Sequence, residues 1–325
     1  MLLTNKAKGH TMDQAGTLRS MTKKREDHPA VHSKGWNGDG HRSGSGTATA
    51  TQVIAVTSGK GGVGKTNVVA NLGYALTRLN KRVLIVDADI GLANLDVILG
   101  FSPRYNLQHV LSGEKAISEV VIAGPGGMKI LPASSGIQEL SELTKAQKLC
   151  LLSELETLSQ ETDIILIDTS AGISSNVMYF NLAAHEILIV VSPEPTSITD
   201  AYAMMKVLCL KYEENHFKLL VNEVRSPEEG QEVYNHLSLV GQKFLNLSID
   251  YWGHIIRDEH VVKAVRQQKA LVELYPQAAA SKCIYELAQK VCAYQPTTSS
   301  RGAIRFFWHH LLENPEVLPL ELSKM

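Results

Sequence analysis

The chain has 325 residues, 44% of them hydrophobic, enough for one large α/β domain or two small ones with a sizeable core. Lys+Arg 32 against Asp+Glu 33 leave a net charge of −1, which excludes a global field of the kind that draws nucleic acid or an anionic membrane. The four cysteines, Cys150, Cys209, Cys283 and Cys292, form no C-x-x-C pair. They read as small buried apolar residues of a reducing compartment, and the lack of any N-terminal apolar core or long apolar run predicts a cytoplasmic protein.

Residues 1–51 are expected to be a disordered tail, because Gly35 to Thr51 is mostly Gly, Ser, Thr and His, with too little apolar surface to offset the entropy of ordering. Met12 offers a second candidate start. Within the tail, Ala15, Leu18 and Met21 fall on one side of a helix too short to persist alone, so it would form only on a partner. Composition by itself favours an uninvolved tail there. Val53–Thr57 reads as a buried strand. It leads into Ser58-Gly59-Lys60-Gly61-Gly62-Val63-Gly64-Lys65-Thr66, which fits G-x-x-x-x-G-K-[ST] from Gly59 to Thr66. Behind it Val68, Val69, Leu72, Ala75, Leu76 and Leu79 recur at helical spacing.

Further on, Arg82–Asp87 and Asp163–Asp168 read as buried strands ending in carboxylates. Met128–Pro132, Glu186–Val191 and Phe217–Asn222 complete the set, and Lys145 to Thr157 has helical leucine spacing. Continuous apolar strands separated by helices predict an α/β, doubly wound, mostly parallel sheet with helices on both faces. Ligands of such sheets bind at the C-terminal strand ends, where the glycine loop, Asp87, Asp168 and Asn222 fall.

The chemistry these residues allow is phosphoryl transfer. Glycines let several backbone N–H groups face one phosphate, Lys65 supplies a point charge, and the Thr66 hydroxyl is placed to ligate Mg²⁺. The helix N-terminus at Lys65–Asn67 adds partial positive charge. The loop and helix start give Gly59, Gly61, Gly62, Val63, Gly64, Lys65, Thr66 and Asn67 as the nucleotide set, with Thr66, Asp87 and Asp168 for the metal. Asp89 is placed to orient an attacking water. Asp168-Thr169-Ser170-Ala171-Gly172 has the D-x-x-x-G form of a phosphate-sensing loop, with the Gly172 amide expected to be open to the γ-phosphate. Lys60 is surplus to an ordinary phosphate loop. It is either a solvated loop lysine or a second cation delivered across a dimer.

Lys60–Thr66 matches the deviant Walker A motif, with its signature lysine, of the MinD/ParA class of ATPases. Asp89–Asp96 is similar to the MinD-type switch I and Asp168–Gly172 to switch II. Within the class the chain resembles the flagellar-number regulators of the FleN/FlhG type. Glu194–Ala203 resembles their helix-start segment and Asn222 opens a run like their base-side loop. Asp13, Gln14, Ala15, Leu18 and Arg19 resemble the element that stimulates the signal-recognition-type GTPase FlhF. One departure is Ile256, where these proteins usually carry proline.

The resemblance implies ATP/ADP and Mg²⁺ as ligands and an ATP-sandwich homodimer in which Lys60 reaches the partner's nucleotide. It implies Lys60, Lys65 and Asp89 as the catalytic set, Asn222 against adenine, and slow, partner-stimulated turnover. The implied partners are an FlhF-type GTPase and a flagellar enhancer-binding transcription activator, with no direct nucleic acid. Domain limits are expected at 52–293 for the ATPase, 294–302 for a linker and 303–325 for a C-terminal helix and tail. In that helix Ile304, Phe307, Trp308, Leu311 and Leu312 make one apolar stripe, which fits reversible binding at the inner face of the cell membrane, or docking on its own domain.

Two other readings share the chemistry. A ParA-type partitioning ATPase would use Lys263, Arg266, Lys269, Lys282 and Lys290 on DNA, though Glu259, Glu273 and Glu286 interleave with them. A MinD-type division-site ATPase would differ only in partners.

Overall fold

All seven residues of Gln52–Ser58, strand β1, are buried. Its side chains alternate: Ile54 and Val56 enter one core layer, Val53 and Ala55 the opposite one. A strand buried on both sides must be covered on both, and the rest of the chain supplies that cover. The computed structural model describes residues 51–89, 94–132, 153–155, 157–158 and 160–294.

In chain order, β1 is followed by α1 (Lys65–Arg78), β2 (Val83–Ala88), three short helices α2 (Leu95–Leu99), α3 (Leu107–Leu111) and α4 (Ile117–Val120), then β3 (Ile122–Ala123), β4 (Lys129–Pro132) and β5 (Ile164–Ala171). The second half comprises α5 (Ser175–Ala183), β6 (Glu186–Val191), α6 (Pro195–Tyr212), β7 (His216–Val224), α7 (Pro227–Leu245), β8 (Ser248–Ile256), α8 (Glu259–Arg266), α9 (Leu271–Leu274) and α10 (Ala279–Ala293).

The eight strands lie in the order β3-β4-β2-β5-β1-β6-β7-β8. Only β3 against β4 is antiparallel among these pairings. Leu72 and Leu76 of α1, Ala264 of α8, Leu271 of α9 and Ile284 of α10 pack on one face. On the other, Leu107, Ile117 and Phe180 cover the β2–β5 side, and Met204, Leu208, Val233 and Leu237 cover β6 to β8. This is the doubly wound parallel sheet that the apolar runs predict.

The differences are at strand ends and at one edge. β5 continues three residues past Asp168, through Ala171, and β7 runs to Val224. Strand β8 was not anticipated. It is an edge strand with alternating burial, with Ser248 and Asp250 exposed, and the ladder shifts register near Gly253. Its pattern therefore lacks the continuous apolar run that marks the central strands. Of the expected helix Lys145 to Thr157, residues 153–155 and 157 are described and are helical.

The tail motif with Asp13, Gln14, Ala15, Leu18 and Arg19 lies outside the described residues, as do the linker beyond Tyr294 and the helix with Ile304, Phe307, Trp308, Leu311 and Leu312. Ile90 to Ala93 of the loop after β2 also lie outside them. Among the described residues no helix is long and apolar enough to cross a membrane.

Candidate functional site

At the C-terminal edge of the sheet the chain leaves β1 at Ser58 and re-enters a helix at Lys65. Gly62 (φ +82°) and Gly64 (φ +87°) take the left-handed conformation, and Gly64 occupies the position that caps α1. That turn brings the unpaired amides of the first helical turn, Lys65 to Asn67, back toward the loop. The first turn carries no acidic side chain, so nothing on α1 offsets its partial positive charge.

The loop is held from three directions. From its own base, Ser58 Oγ donates to the Lys60 carbonyl at 2.7 Å. From β7, Asn222 Nδ2 donates to the Val63 carbonyl at 2.8 Å, and a Cβ on Gly64 would strike that amide. From α6, the backbone of Asp200 and Ala201 lies so close that Gly59 has no room for a side chain. Asn222 is expected against the base; in this structure its amide braces the loop, because β7 brings it directly beside Val63.

Three acids and one lysine meet beneath this loop. The β2–β5 register sets Asp87 beside Asp168, and the β1–β5 register sets Val56 beside Asp168. Asp168 is 1% exposed, and neither of its carboxylate oxygens has a hydrogen-bond partner among the described residues. The Thr66 hydroxyl favours the charged form of Asp168. Burial, and then the Asp87 charge, push the Asp168 carboxyl up to about 7. Burial does the same to Asp87, also to about 7, against the pull of the Asp89 amide. Lys65 is 7% exposed. Burial lowers its pKa, opposed by Asp168 and Asp89.

A buried carboxylate whose oxygens have no hydrogen-bond partner among the described residues, with a threonine hydroxyl and a second carboxylate acting on it, fits a hard cation. Among the described residues no cluster of three or more His, Cys, Asp or Glu would cage a metal by itself. Mg²⁺ commonly takes its remaining ligands from water and phosphate.

The other expected residues fall as follows. Asp89 follows β2, its N–H donating to Asp87 Oδ1 at 3.3 Å, and Ser170 Oγ donates to Asp89 Oδ1 at 2.6 Å. The Gly172 amide differs from expectation. It donates to the Ser58 carbonyl at 2.9 Å, because the β1–β5 ladder continues to Ser58 and Ala171. Lys60 is neither merely solvated nor free: Nζ lies 2.8 Å from Glu194 Oε2 and 2.9 Å from Thr196 Oγ1, at the start of α6. Glu194, Thr196, Ser170 and Ser58 were not read as site residues. Each nonetheless lies within a stretch that the sequence singles out: Ser58 heads the glycine loop, Ser170 lies within Asp168–Gly172, and Glu194 and Thr196 flank Pro195, a residue suited to the first position of a helix. Of the basic residues that a DNA-binding face would need, Lys263 pairs with Glu259 at 3.0 Å and Lys290 donates to the Tyr251 carbonyl.

Comparison with known proteins places these features in context. A family model described as an AAA domain matches residues 51–219. The chain is 43% identical over 270 residues to the antiactivator FleN of Pseudomonas aeruginosa, covering 83% of this chain and 96% of that one. It is 37% identical over 239 residues to the flagellum site-determining protein YlxH of Helicobacter pylori, covering 73% and 81%. Among solved structures, the MinC:MinD cell division complex of Aquifex aeolicus matches with a TM-score of 0.60 at 29% identity, covering 77% of this chain and 99% of that one. The septum site-determining protein MinD of Pyrococcus horikoshii, complexed with Mg-ADP, matches with a TM-score of 0.59 at 26% identity, covering 75% and 96%.

Proposed function

The chain belongs to the MinD/ParA family of P-loop ATPases, in its FleN/FlhG branch, and from that premise we propose that it is an ATP-switched regulator of flagellar number. The observation carrying this reading is the 43% identity that runs along 96% of the FleN antiactivator.

In this mechanism the loop from Gly59 to Thr66 and the first turn of α1 take the phosphates of ATP, and Lys65 neutralises charge on the β- and γ-phosphates. Asp89 orients the water. Its oxygen bonds to the γ-phosphorus as the bond to the β–γ bridging oxygen breaks, giving ADP and phosphate. Thr66, Asp87 and Asp168 would hold Mg²⁺, which when bound screens the charge developing on the phosphates. Asn222 lies against adenine, as the resemblance implies, and its amide also braces the loop at Val63.

Lys60 supplies the second cation, to a partner's nucleotide, in an ATP-bound homodimer. Cations delivered in this way are worth about 10³–10⁵ in rate, so a monomer whose Lys60 is held by its own Glu194 and Thr196 turns over slowly. Dimerisation must break that contact. Both side chains of the pair are solvent-accessible, and such pairs contribute about 0.2–1 kcal/mol. Because each dimer releases two such contacts, Glu194→Gln should tighten ATP-dependent dimerisation about 2- to 30-fold in sedimentation with a non-hydrolysable ATP analogue. The gain should vanish in a Lys60→Ala background. Weaker dimerisation in Glu194→Gln would mean that Glu194 serves the dimer rather than restraining Lys60.

Dimerisation also pairs two C-terminal helices, each with the stripe Ile304, Phe307, Trp308, Leu311 and Leu312. One such helix binds lipid marginally, and two gain avidity. The protein is then cytoplasmic with ADP and at the inner face of the cell membrane with ATP. The segment Asp13 to Arg19 engages an FlhF-type GTPase, and the dimer surface engages an enhancer-binding transcription activator of flagellar genes.

The deciding experiment is a count of flagella by electron microscopy in cells carrying Lys65→Ala against wild type. Supernumerary flagella support number control by ATP binding. Normal flagella with minicells would move the protein to division-site placement, the reading that the MinD relatives favour.

A further inference from the structure

We propose that Ser170 is a positioning residue for ATP hydrolysis, acting by fixing the carboxylate of Asp89. The proposal rests on the reading of Asp89 as the group that orients the attacking water, and it names what holds Asp89 in place.

The two residues come from differently supported parts of the chain. Asp89 is the first residue after β2, and the hydrogen bond from its N–H to Asp87 Oδ1 is long, at 3.3 Å. A carboxylate on such a stem rotates about its Cβ–Cγ bond unless something stops it. Ser170 sits inside β5, two residues beyond Asp168, in the middle of the sheet. Its backbone is fixed on both sides. Thr169, which is fully buried, donates Oγ1 to the Val56 carbonyl at 3.1 Å. Ala171 pairs with Ser58, and the Gly172 amide donates to the Ser58 carbonyl. The hydroxyl of Ser170 therefore projects from a rigid platform.

Ser170 Oγ reaches Asp89 Oδ1 at 2.6 Å, within the 2.5–2.7 Å range of hydroxyl-to-carboxylate hydrogen bonds. With Oδ1 held, the plane of the carboxylate is set and Oδ2 has one direction. The charge of this carboxylate acts on Lys65, the lysine of the phosphate loop, so the acid lies within electrostatic reach of the phosphate site. The same bond ties the loop after β2 to the end of β5, so the water-orienting acid and the phosphate-sensing strand move together. Small misplacements of a reacting group can cost as much as 10²-fold in rate, so a hydroxyl that fixes an acid has a measurable effect without touching substrate.

The test is a mutant cycle on the full-length chain with Ser170→Ala, Asp89→Asn and the double variant. It reads kcat and KM for ATP, with binding of a fluorescent ATP analogue and the thermal midpoint as controls. Ser170→Ala should lower kcat on the order of 10-fold, with KM, analogue affinity and midpoint close to wild type. Ser170→Thr keeps the hydroxyl on a half-buried strand position and should restore kcat to within about 3-fold. In the Asp89→Asn background, removing the hydroxyl should cost nothing further, since there is no carboxylate left to orient.

Two results overturn the proposal while leaving the role of Asp89 intact: wild-type kcat in Ser170→Ala, or a loss that adds fully to that of Asp89→Asn. Wild-type kcat in Asp89→Asn is a different failure, which removes the water-orienting role itself and the proposal with it. A fall in kcat matched by a fall in midpoint, and not relieved by Thr, would assign Ser170 to stability alone.

Discussion

Asp168→Asn should stabilise the nucleotide-free protein at pH 8 and abolish most of its response to Mg²⁺ and ATP. The two effects have one cause. Asp168 is 1% exposed and has no hydrogen-bond partner among the described residues, so its charge is carried at a cost until a cation meets it. Its folded pKa, about 7, lies above the unfolded value near 3.9. Between those two values the folded protein holds a proton that the unfolded chain has lost, so stability falls as pH rises from about 4 through about 7.

A carboxyl carried from near 3.9 to about 7 loses on the order of 4 kcal/mol across that range, and Asp87, raised in the same direction, adds to the loss. Asparagine has nearly the same shape and no charge. Urea unfolding in EDTA, without nucleotide, should show wild type losing stability from pH 5.5 to 8, while Asp168→Asn keeps a shallower slope and the higher value at pH 8. With Mg²⁺ and ATP the order reverses, because wild type gains RT ln(1 + [L]/Kd) and the variant gains little. Turnover in the variant should drop on the order of 10²-fold or more. Lower stability of Asp168→Asn at pH 8 without ligand would show that the carboxylate is satisfied in the folded protein.

The parts of this site legible in the sequence are those set by local patterning. The phosphate loop is contiguous, so strand, glycines, Lys65 and Thr66 declare themselves together. Asp87 and Asp168 were legible because each closes an apolar run, and a parallel sheet brings such ends to one edge. What stayed illegible depends on residues far apart in the chain meeting at a few tenths of an ångström. The hold of Glu194 and Thr196 on Lys60 spans 134 and 136 positions, and that of Ser170 on Asp89 spans 81. The Gly172 amide departs from expectation for a related reason: a strand end made of small residues leaves no hydrophobic signal, and β5 continues four residues beyond Ile167, the last of its apolar run. The signature role of Lys60 came from family resemblance, and the residue pattern alone left it open.

Gly59→Ala should disable the protein, whereas Gly61→Ala, two residues along the same loop, should leave the fold intact. Neither glycine has a left-handed φ, so the difference is one of space. A Cβ on Gly59 would overlap the carbonyl of Asp200 and sit 2.6 Å from the Ala201 nitrogen. Those are backbone atoms of α6, which cannot rotate aside as a side chain could. Overpacking of this kind costs about 1–3 kcal/mol, occasionally more.

A Cβ on Gly61 would meet only the Ala171 Cβ, at 4.0 Å, an ordinary contact. Its cost in denaturant unfolding should stay within about 0.5 kcal/mol. Gly62→Ala falls between, since it has open space but φ +82°, a conformation that costs about 1–2 kcal/mol for a residue with a Cβ. The functional loss in Gly59→Ala should exceed what stability explains, with ATP affinity falling on the order of 10-fold or more in calorimetric titration. The reason lies in α6. The helix that would be displaced begins at Pro195, between the two residues that hold Lys60, so moving it shifts the loop and its signature lysine together. If Gly59→Ala and Gly61→Ala unfold at the same denaturant concentration, α6 yields to the loop and is not the rigid wall against which the phosphate site is built.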